Sequence, residues 1–523
     1  MEKYLYAAAV QGIQSFIFQT NVLKDIVGAS ELVDLICTKE FMDLLGRGVW
    51  KKKSQVIAAA GNVRYIFENI DECRLAVREF PRRVMTKAPG ITISQAVVKY
   101  NDEQQDSFKN AVDEAEKRLR AQRNRIQPPV TAGLLGMRRA PGTGLPAVER
   151  EKDGSRAYID ASTKSKREIN SRQETKSKKE TKGKQENNNT VALCMKSFYG
   201  SEKNYKFAVP LRKRVPFEIS DICSQNDWIA VIHADGNSLG QVVRHVGHNQ
   251  DNFRKFSTLL NNSTIQSAND AFRSLEIEDG KNRIPIRPIV LGGDDMTVII
   301  RGDLAIPYVR EFIRCFEKHT GEHEMAEVLP EGMTKLTACA GVAFIKSSFP
   351  FYYGYHLAES LCDAAKKQAK AINEKNVPSC LMFHKVQDSF VESYADITKR
   401  ELTTAEGLSF QYGPYFLRAT AETRNFGTIE ELEKLSNSLG ADDEEDDDLR
   451  PAIRKWLGLL HENTDKAKQW LRRVTDVHPG AETLINDLTK FSKRGNAEAC
   501  IAYDALALNT IIRQVTKEVR HDN

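Results

Sequence analysis

The sequence lacks the features that mark membrane proteins and disulfide-rich secreted proteins. No apolar run approaches the length of a bilayer-spanning helix. The first residues lack the long apolar core and the small-residue cleavage site of a signal peptide. None of the nine cysteines forms a CxxC pair, which argues against a cysteine-rich zinc site. We therefore expect a cytoplasmic protein with reduced thiols and no membrane partner.

What remains is the composition of a soluble globular protein. The chain has 523 residues, enough for several domains, and 41% of them are hydrophobic and 28% charged. The net charge of +5 is small for this length, so it permits nucleotide or nucleic-acid partners without arguing for them. The function must therefore be inferred from local motifs, because composition and net charge do not indicate it.

Hydrophobic periodicity divides the first part of the chain into two regions. Residues 1–100 read as strand, helix, strand, strand, helix, strand, with the helical pattern of residues 13–45 broken near Gly28. This is the ferredoxin-like order. Residues 101–216 read as a helical and irregular connector. Within it, the Lys-rich stretch 162–189 has almost no apolar residue and is predicted to be a disordered loop.

The second part of the chain repeats the ferredoxin-like order in residues 217–391. Residues 392–523 read as mainly helical, around an acidic run at 441–448 that is typical of a solvated loop. The predicted fold is therefore α+β, with two palm-like domains and a helical C-terminal domain. No residue-level repeat is visible between the two palms, so this prediction depends on element order alone.

A predicted hairpin in the second palm carries the first candidate site. Two apolar strands meet at the turn Gly292-Gly293-Asp294-Asp295. The glycines allow a tight turn and the close approach of a ligand to the backbone. The two acids then project from the tip of a rigid hairpin.

A second motif supplies another acid. A buried-type strand ends at Asp235, which is followed by Gly236 and a helix that begins near Ser238. In a ferredoxin-like sheet the first strand lies beside the central hairpin. We therefore expect Asp235 to lie close to Asp294 and Asp295.

Three carboxylates at one sheet edge repel one another unless a cation joins them. Hard oxygen ligands select Mg²⁺ or Mn²⁺, and two such ions can activate a hydroxyl and neutralise a pyrophosphate leaving group. The helix start after Asp235 offers backbone N–H groups to phosphates. Lys366 and Lys370 share one helix face and could bind a triphosphate.

Each motif alone also has a purely structural interpretation. An Asp-Asp turn after Gly-Gly is a common hairpin connection, and an acid before a helix is an ordinary cap. For Lys366 and Lys370, a solvated helix face is an equally good interpretation. The three acids, in the expected order within one ferredoxin-like unit, favour a functional site.

Together these motifs resemble the second palm of the large subunit, the polymerase/cyclase, of type III CRISPR effector complexes. The GGDD hairpin and the segments 234–240, 365–370 and 381–384 carry this resemblance, while the segments 10–18 and 28–30 resemble the first palm of that family. The chain looks like a short form without the N-terminal histidine-aspartate nuclease domain. Its first palm is expected to be catalytically silent, because the hairpin at 58–63 has no acid.

The resemblance implies an enzyme that converts ATP into cyclic or linear oligoadenylate second messengers in antiviral defence. Asp235, Asp294 and Asp295 would be the catalytic residues and would hold two Mg²⁺ or Mn²⁺ ions. The candidate nucleotide-binding residues are Gly28, Ser30, Gly236, Asn237, Ser238, Gly292, Gly293, Lys366 and Lys370. The implied partners are ATP and other nucleotides, other subunits of an RNA-guided complex, and its RNA.

Other functions remain open at this point. Asn237 stands where many relatives have a second acid, so the choice of nucleotide is not fixed. One alternative is a synthase of the same fold with another product, either a GTP-using cyclase or an AMP–metabolite conjugate. Another is a non-catalytic scaffold subunit, although a scaffold gains nothing from clustered carboxylates. A nucleic-acid-binding module that uses the Lys-rich loop is disfavoured, because that loop has no interleaved aromatics.

Overall fold

The computed structural model contains two palm sheets with antiparallel cores and helices packed on them, a helical C-terminal part and two small sheets. The predicted α+β class, with two ferredoxin-like palms and a helical C-terminal part, is confirmed. The described residues are 2–59, 61–104, 106–125, 136–151, 157–169, 214–224, 227–275, 277, 284–388, 393–439, 448–494 and 497–521.

The first palm is a four-stranded antiparallel sheet with the order β2-β3-β1-β4. Its strands are β1 (Glu2–Gln11), β2 (Gln55–Ala59), β3 (Asn62–Phe67) and β4 (Thr92–Asn101). Its helices are α1 (Ile13–Ile17), α2 (Leu23–Leu35), α3 (Phe41–Val49) and α4 (Ile70–Lys87). The central strand β1 is almost wholly apolar because helices cover both of its faces.

The predicted helix break near Gly28 is wrong. Gly28 is buried in the middle of α2, and the chain instead turns between Ile17 and Leu23. A π-helical turn, Ile36–Glu40, then joins α2 to α3. A glycine inside a helix costs only about 1 kcal/mol relative to alanine. Packing of the buried face of α2 against the sheet is sufficient to offset that cost.

The connector begins with α5 (Ser107–Arg123) and continues with the hairpin strands β5 (Ala147–Arg150) and β6 (Tyr158–Asp160) and the helix α6 (161–169). The predicted disordered loop is wrong for residues 162–169, which are helical. The Lys166 ammonium is buried and donates to the carbonyl oxygen of Phe16 at 2.7 Å. Arg167 forms a two-point ion pair with Asp25 of α2. Residues 170–189 lie outside the described part of the chain.

The second palm repeats the first and extends it. In chain order its elements are β7 (Trp228–Gly236), α7 (Leu239–Val246), α8 (Gln250–Ser274), β8 (Ile286–Gly292), β9 (Asp295–Arg301), α9 (Ala305–Thr320), α10 (His323–Ala326), β10 (Ala338–Lys346), α11 (Phe351–Ile372) and β11 (Cys380–Lys385). The antiparallel core has the order β10-β7-β9-β8, and β11 is added parallel to β10. The predicted helix near Ser238 proves to be two helices, of which α8 is the longer.

The two palms contact each other reciprocally. Helix α2 of the first palm packs on the edge strand β8, and the Ser30 hydroxyl donates to the carbonyl oxygen of Ile289. Helix α8 of the second palm packs on the edge strand β2, where Arg254 Nε donates to the carbonyl oxygen of Gln55 at 3.0 Å. Because β2 and β8 are equivalent strands, the palms are related by an approximate two-fold arrangement.

The C-terminal part is mainly helical, as predicted. Its elements are α12 (Tyr394–Arg400), β12 (Leu408–Ser409), β13 (Tyr415–Phe416), α13 (Ile429–Ser438), α14 (Leu449–Glu462), α15 (Thr464–Val477), α16 (Glu482–Thr489), β14 (Ser492–Arg494), β15 (Ala497–Ala499) and α17 (Ala502–His521). Strand β13 pairs with β11 of the second palm. Of the acidic run, residues 441–447 lie outside the described residues and Asp448 caps α14. In the described residues no helix is long and apolar enough to span a membrane.

Candidate metal and nucleotide site

Strand order brings three carboxylates to one edge of the second palm. Strand β7 carries Asp235 near its end, and β9 begins at Asp295 directly after the turn residue Asp294. One carboxylate oxygen of each residue lies within 4.8 Å of the other two. The structure therefore brings together the three acids that the sequence singled out.

Two glycines make this approach possible. A Cβ atom on Gly236 would lie 3.1 Å from Cβ of Asp294 and 2.9 Å from Cδ1 of Leu239, so a side chain there would push the hairpin away. Gly293 has a φ of +64°, in the left-handed region that favours glycine. Gly292 ends β8 and pairs with Asp295 across the hairpin. Gly292 and Gly293 thus shape the turn that holds the acids, and Gly236 on β7 leaves room for it.

The electrostatics of the cluster are unfavourable for three ionised acids. Burial, and then the neighbouring Asp295 and Asp235, raise the pKa of Asp294 well above its usual range. Burial and Asp235 raise the pKa of Asp295 to about 7, against the opposing effect of Lys366. These side chains are only partly exposed, so water screens their mutual repulsion incompletely. A bound cation would relieve this repulsion.

The donor set fits a hard divalent cation. It consists of carboxylate oxygens alone, and its three side chains converge without rearrangement. Oxygen ligands of this kind select Mg²⁺ or Mn²⁺ over softer metals. One or two carboxylates with substrate phosphates is the usual way in which proteins hold Mg²⁺.

Of the two predicted phosphate-binding lysines, only Lys366 contacts the carboxylate cluster. Its ammonium forms an ion pair with Asp235 and donates to the carbonyl oxygen of Gly236 at 2.9 Å. Lys370 lies one turn further along α11 and is exposed. The structure thus places one cation inside the cluster and another on the nearby surface.

Asn237 and Ser238 connect the cluster to a neighbouring cleft. Asn237 is buried, and its side-chain amide donates to Thr337 Oγ1 at 3.0 Å and to Cys339 Sγ at 3.4 Å. Its amide N–H groups therefore face β10 and not the carboxylates. Ser238, at φ +60°, caps α7 and lines a cleft of about 460 Å³. Lys335, Thr337 and other polar residues line the same cleft, whose size suits a nucleotide-sized ligand.

The two first-palm candidates lie in α2, away from the hairpin tip. Gly28 is buried within the helix. The Ser30 hydroxyl donates to Ile289 of β8, five residues before Asp294. Ser30 therefore belongs to the interface between the palms, and Gly28 to the buried part of α2.

Sequence reasoning missed two residues that contact the hairpin turn. Asn261 and Thr264 of α8 hydrogen-bond to the N–H and the carbonyl oxygen of Gly293. A signal for α8 exists in the sequence, since Asn249 is a helix-capping residue type. Apolar Phe253, Phe256 and Leu260 then follow at helical spacing. Nothing in the sequence points to the contacts with Gly293.

The second palm thus carries acids at the end of its first strand and on its central hairpin. Residues 228–377 match the family model described as "Cas10/Cmr2, second palm domain". This segment of the chain is thus similar to the second palm domain of Cas10/Cmr2 proteins. The resemblance to the large palm subunit of type III CRISPR complexes, which the sequence motifs predicted, is confirmed.

The fold of the whole chain is similar to solved structures of Csm1. Csm1 in T. onnurineus has a TM-score of 0.56 and 12% identity, over 98% of this chain and 69% of that chain. A Csm1–Csm4 cassette in complex with cA4 has a TM-score of 0.55 and 13% identity, and one in complex with pppApA has 0.57 and 12%, both over the same shares of the two chains. No curated protein sequence matches the chain. At these identities the similarity concerns the fold.

Proposed function

We propose that the chain is a metal-dependent nucleotidyltransferase that makes cyclic or linear oligoadenylates from ATP in type III CRISPR-like antiviral defence. The observation that carries this proposal is the cluster of three carboxylates within 4.8 Å of one another in a Cas10/Cmr2-type palm. Similar Csm1–Csm4 structures in complex with AMPPNP, pppApA, cA3 and cA4 support the choice of adenine nucleotides.

The reaction is attack of a 3′-hydroxyl on the α-phosphate of a second ATP, which forms a phosphodiester bond and releases pyrophosphate. Asp235, Asp294 and Asp295 would hold two Mg²⁺ or Mn²⁺ ions, which would supply positive charge for the phosphates and lower the pKa of the attacking hydroxyl. Lys366 adds positive charge beside Asp235, where the triphosphate approaches. Phosphoryl transfer needs little beyond this positioning and charge.

The remaining candidate residues frame the nucleotides. The start of α7 at Ser238 offers backbone N–H groups to phosphates next to the cleft of about 460 Å³. Gly236, Gly292 and Gly293 let the backbone come close to the substrate. Asn237 fixes this loop by its hydrogen bonds to β10, and Lys370 contributes charge at the outer end of the site.

The first palm supplies the opposite wall of a two-nucleotide site. Its helix α2, with Gly28 and Ser30, packs against the edge of the second palm. Because the first palm lacks the acids, it binds the second nucleotide without activating it. Each palm then holds one nucleotide, and the second palm catalyses bond formation between them.

The natural setting of this activity is a larger assembly in the cytoplasm. One similar solved structure is a Csm1–Csm4 subcomplex in the type III-A CRISPR-Csm interference complex. We infer that this chain likewise associates with a Csm4-like subunit and, through the assembled complex, with its RNA. The net charge of +5 is compatible with such partners.

The test is incubation of the purified protein with Mn²⁺ and each α-³²P-labelled nucleoside triphosphate, followed by separation of the products. ATP should be converted into oligoadenylates by the wild type and not by the Asp294→Asn/Asp295→Asn double variant. Conversion of GTP alone would identify a synthase with another product. No conversion of any nucleotide, by the protein alone or in its complex, would establish a scaffold.

A further inference from the structure

Side chains of helix α8 form hydrogen bonds with both backbone polar groups of Gly293, in the turn of the acidic hairpin. The N–H of Gly293 donates to Oδ1 of Asn261 at 3.2 Å. The carbonyl oxygen of Gly293 accepts from the hydroxyl of Thr264 at 2.7 Å. Gly293 directly precedes Asp294, so its peptide groups are fixed immediately before the first acid of the pair.

This turn needs such support. Gly293 adopts a left-handed conformation, and glycine has more accessible backbone conformations than any other residue. The acids that follow repel each other and Asp235, which favours any motion of the hairpin that separates them. Two hydrogen bonds from a helix oppose that motion, because each depends on the direction of a different peptide group.

The two side chains are well placed for this task. Thr264 is fully buried, and its hydroxyl also lies 3.0 Å from the carbonyl oxygen of Leu260. A hydroxyl has one proton, so the shorter contact, to Gly293, is the stronger. Asn261 is partly buried, whereas its neighbour Asn262 points to solvent. The chain thereby provides a matched control residue.

The N-terminal part of the same helix is anchored to the first palm. Arg254 donates to the carbonyl oxygens of Lys53 and Gln55, and Phe253 lies under the guanidinium of Arg64 at 5.5 Å. Arg254 and Asn261 are seven residues apart, so they lie on one face of α8 about 10 Å apart along its axis. The hairpin turn is thus positioned relative to the first palm and not only to its own sheet.

We propose that Asn261 and Thr264 are positioning residues for nucleotidyl transfer, which hold Gly293 so that Asp294 and Asp295 keep the spacing that their metal ions require. The effect on turnover rests on the proposed function. The effects on hairpin rigidity and on metal affinity do not. Neither residue contacts the reacting atoms, so each acts through the hairpin, in the way that outer-shell residues support metal ligands.

The experiment compares Asn261→Ala and Thr264→Val with Thr264→Ser, which keeps the hydroxyl, and with Asn262→Ala. Mn²⁺ affinity is measured by electron paramagnetic resonance, hydrogen exchange by mass spectrometry on peptides that cover residues 289–297, and kcat and KM for ATP at saturating Mn²⁺. Asn261→Ala and Thr264→Val should weaken Mn²⁺ binding about 10-fold, speed exchange in the hairpin and lower kcat about 10- to 100-fold. Thr264→Ser and Asn262→Ala should stay near the wild type.

Three outcomes decide the matter. Wild-type Mn²⁺ affinity and exchange in Asn261→Ala and Thr264→Val would overturn the proposal, even if these variants melt at a lower temperature. A loss in Thr264→Ser as large as in Thr264→Val would also overturn it, because the hydroxyl would then not be the important group. Weaker Mn²⁺ binding in a protein that converts no nucleotide would support the positioning role and contradict the proposed function.

Discussion

Strand pairing aligns the first palm with the second, position by position. In the first palm, Ala9 of the first strand pairs with Asn62 of the hairpin. In the second, extending the pairing of β7 with β9 by one residue sets Asp235 opposite Asp295. Ala9 therefore corresponds to Asp235 and Asn62 to Asp295. The residue before Asn62, Gly61, corresponds to Asp294.

The polar framework around these positions is shared. The residues after the first strands, Gly12 and Ser238, both adopt a left-handed conformation and cap the next helix. The amide of Gln11 donates to Ser94 in the first palm. The amide of Asn237 donates to Cys339 at the matching position in the second. Strand pairing thus identifies equivalent positions in the two palms, although no residue-level repeat is visible in the sequence.

At the three compared positions the palms differ in that only the second carries acids, and this indicates what the acids are for. The first palm forms the same four-stranded antiparallel core with alanine, glycine and asparagine at the three positions, so the fold does not need carboxylates there. In the second palm the carboxylates are unfavourable neighbours, since burial and mutual repulsion raise the pKa of Asp294 and of Asp295. Groups that the fold does not need, and that repel one another, are expected where a ligand requires them.

The largest effect is expected from removing the acids of the second palm, which makes its hairpin resemble that of the first. Asp294→Asn/Asp295→Asn should lower nucleotide turnover about a thousandfold or more, because the proposed metal site would lose two of its three carboxylates. In EDTA its melting temperature should equal or exceed that of the wild type, since repulsion is relieved. With Mn²⁺ and ATP the order should reverse, because only the wild type gains binding free energy. If both proteins had the same melting temperature in EDTA and also with Mn²⁺ and ATP, the acids would be turn residues that bind no metal.

A smaller effect is expected from the lysine beside the cluster. Lys366→Met removes the ammonium that pairs with Asp235, and we expect a loss of turnover of about 10- to 100-fold. Lys370→Met, one turn along the same helix and exposed, should lower turnover less than Lys366→Met. Initial rates with labelled ATP measure both changes. Equal losses in the two variants would show that general positive charge matters and that the contact with Asp235 does not.

The pH dependence of stability sharpens the comparison further. The pKa of Asp295 is about 7 in the folded protein and about 3.9 in an unfolded chain, so the folded state holds this proton more tightly. The resulting stabilisation is complete below about pH 4 and is lost as the pH rises through about 7. Asp295→Asn should therefore gain melting temperature relative to the wild type between pH 5 and pH 8 in EDTA. A difference that is constant over this range would contradict the raised pKa.

Element order was predictable because apolar periodicity marks strands and helices directly, and a ferredoxin-like order places Asp235 beside Asp294 and Asp295. Contacts between distant segments were not predictable. The helical state of residues 162–169 depends on burying Lys166 against the carbonyl oxygen of Phe16, which is 150 residues away. The support of Gly293 by α8 uses backbone groups, which leave no pattern in the sequence.

Strands of two or three residues, such as those that form the β12-β15-β14 sheet, are also too short to show periodicity. The break expected near Gly28 is an error of another kind. A single glycine was taken as the end of a helix, although tertiary packing holds that helix together.

The smallest effect is expected from the first-palm counterpart of Asp295. Asn62 is exposed at the start of β3 and carries no ionised group, so Asn62→Ala should change Mn²⁺ affinity by less than about 2-fold. Exposed substitutions of this kind usually alter stability by only about 0.5 kcal/mol. The register makes Asp295→Ala the matched change in the second palm, and it should weaken Mn²⁺ binding strongly because it removes a ligand. Isothermal titration of both variants with Mn²⁺ measures the contrast. Loss of Mn²⁺ binding in Asn62→Ala would mean that the first palm also holds a metal ion, and that the two palms differ less than their acids indicate.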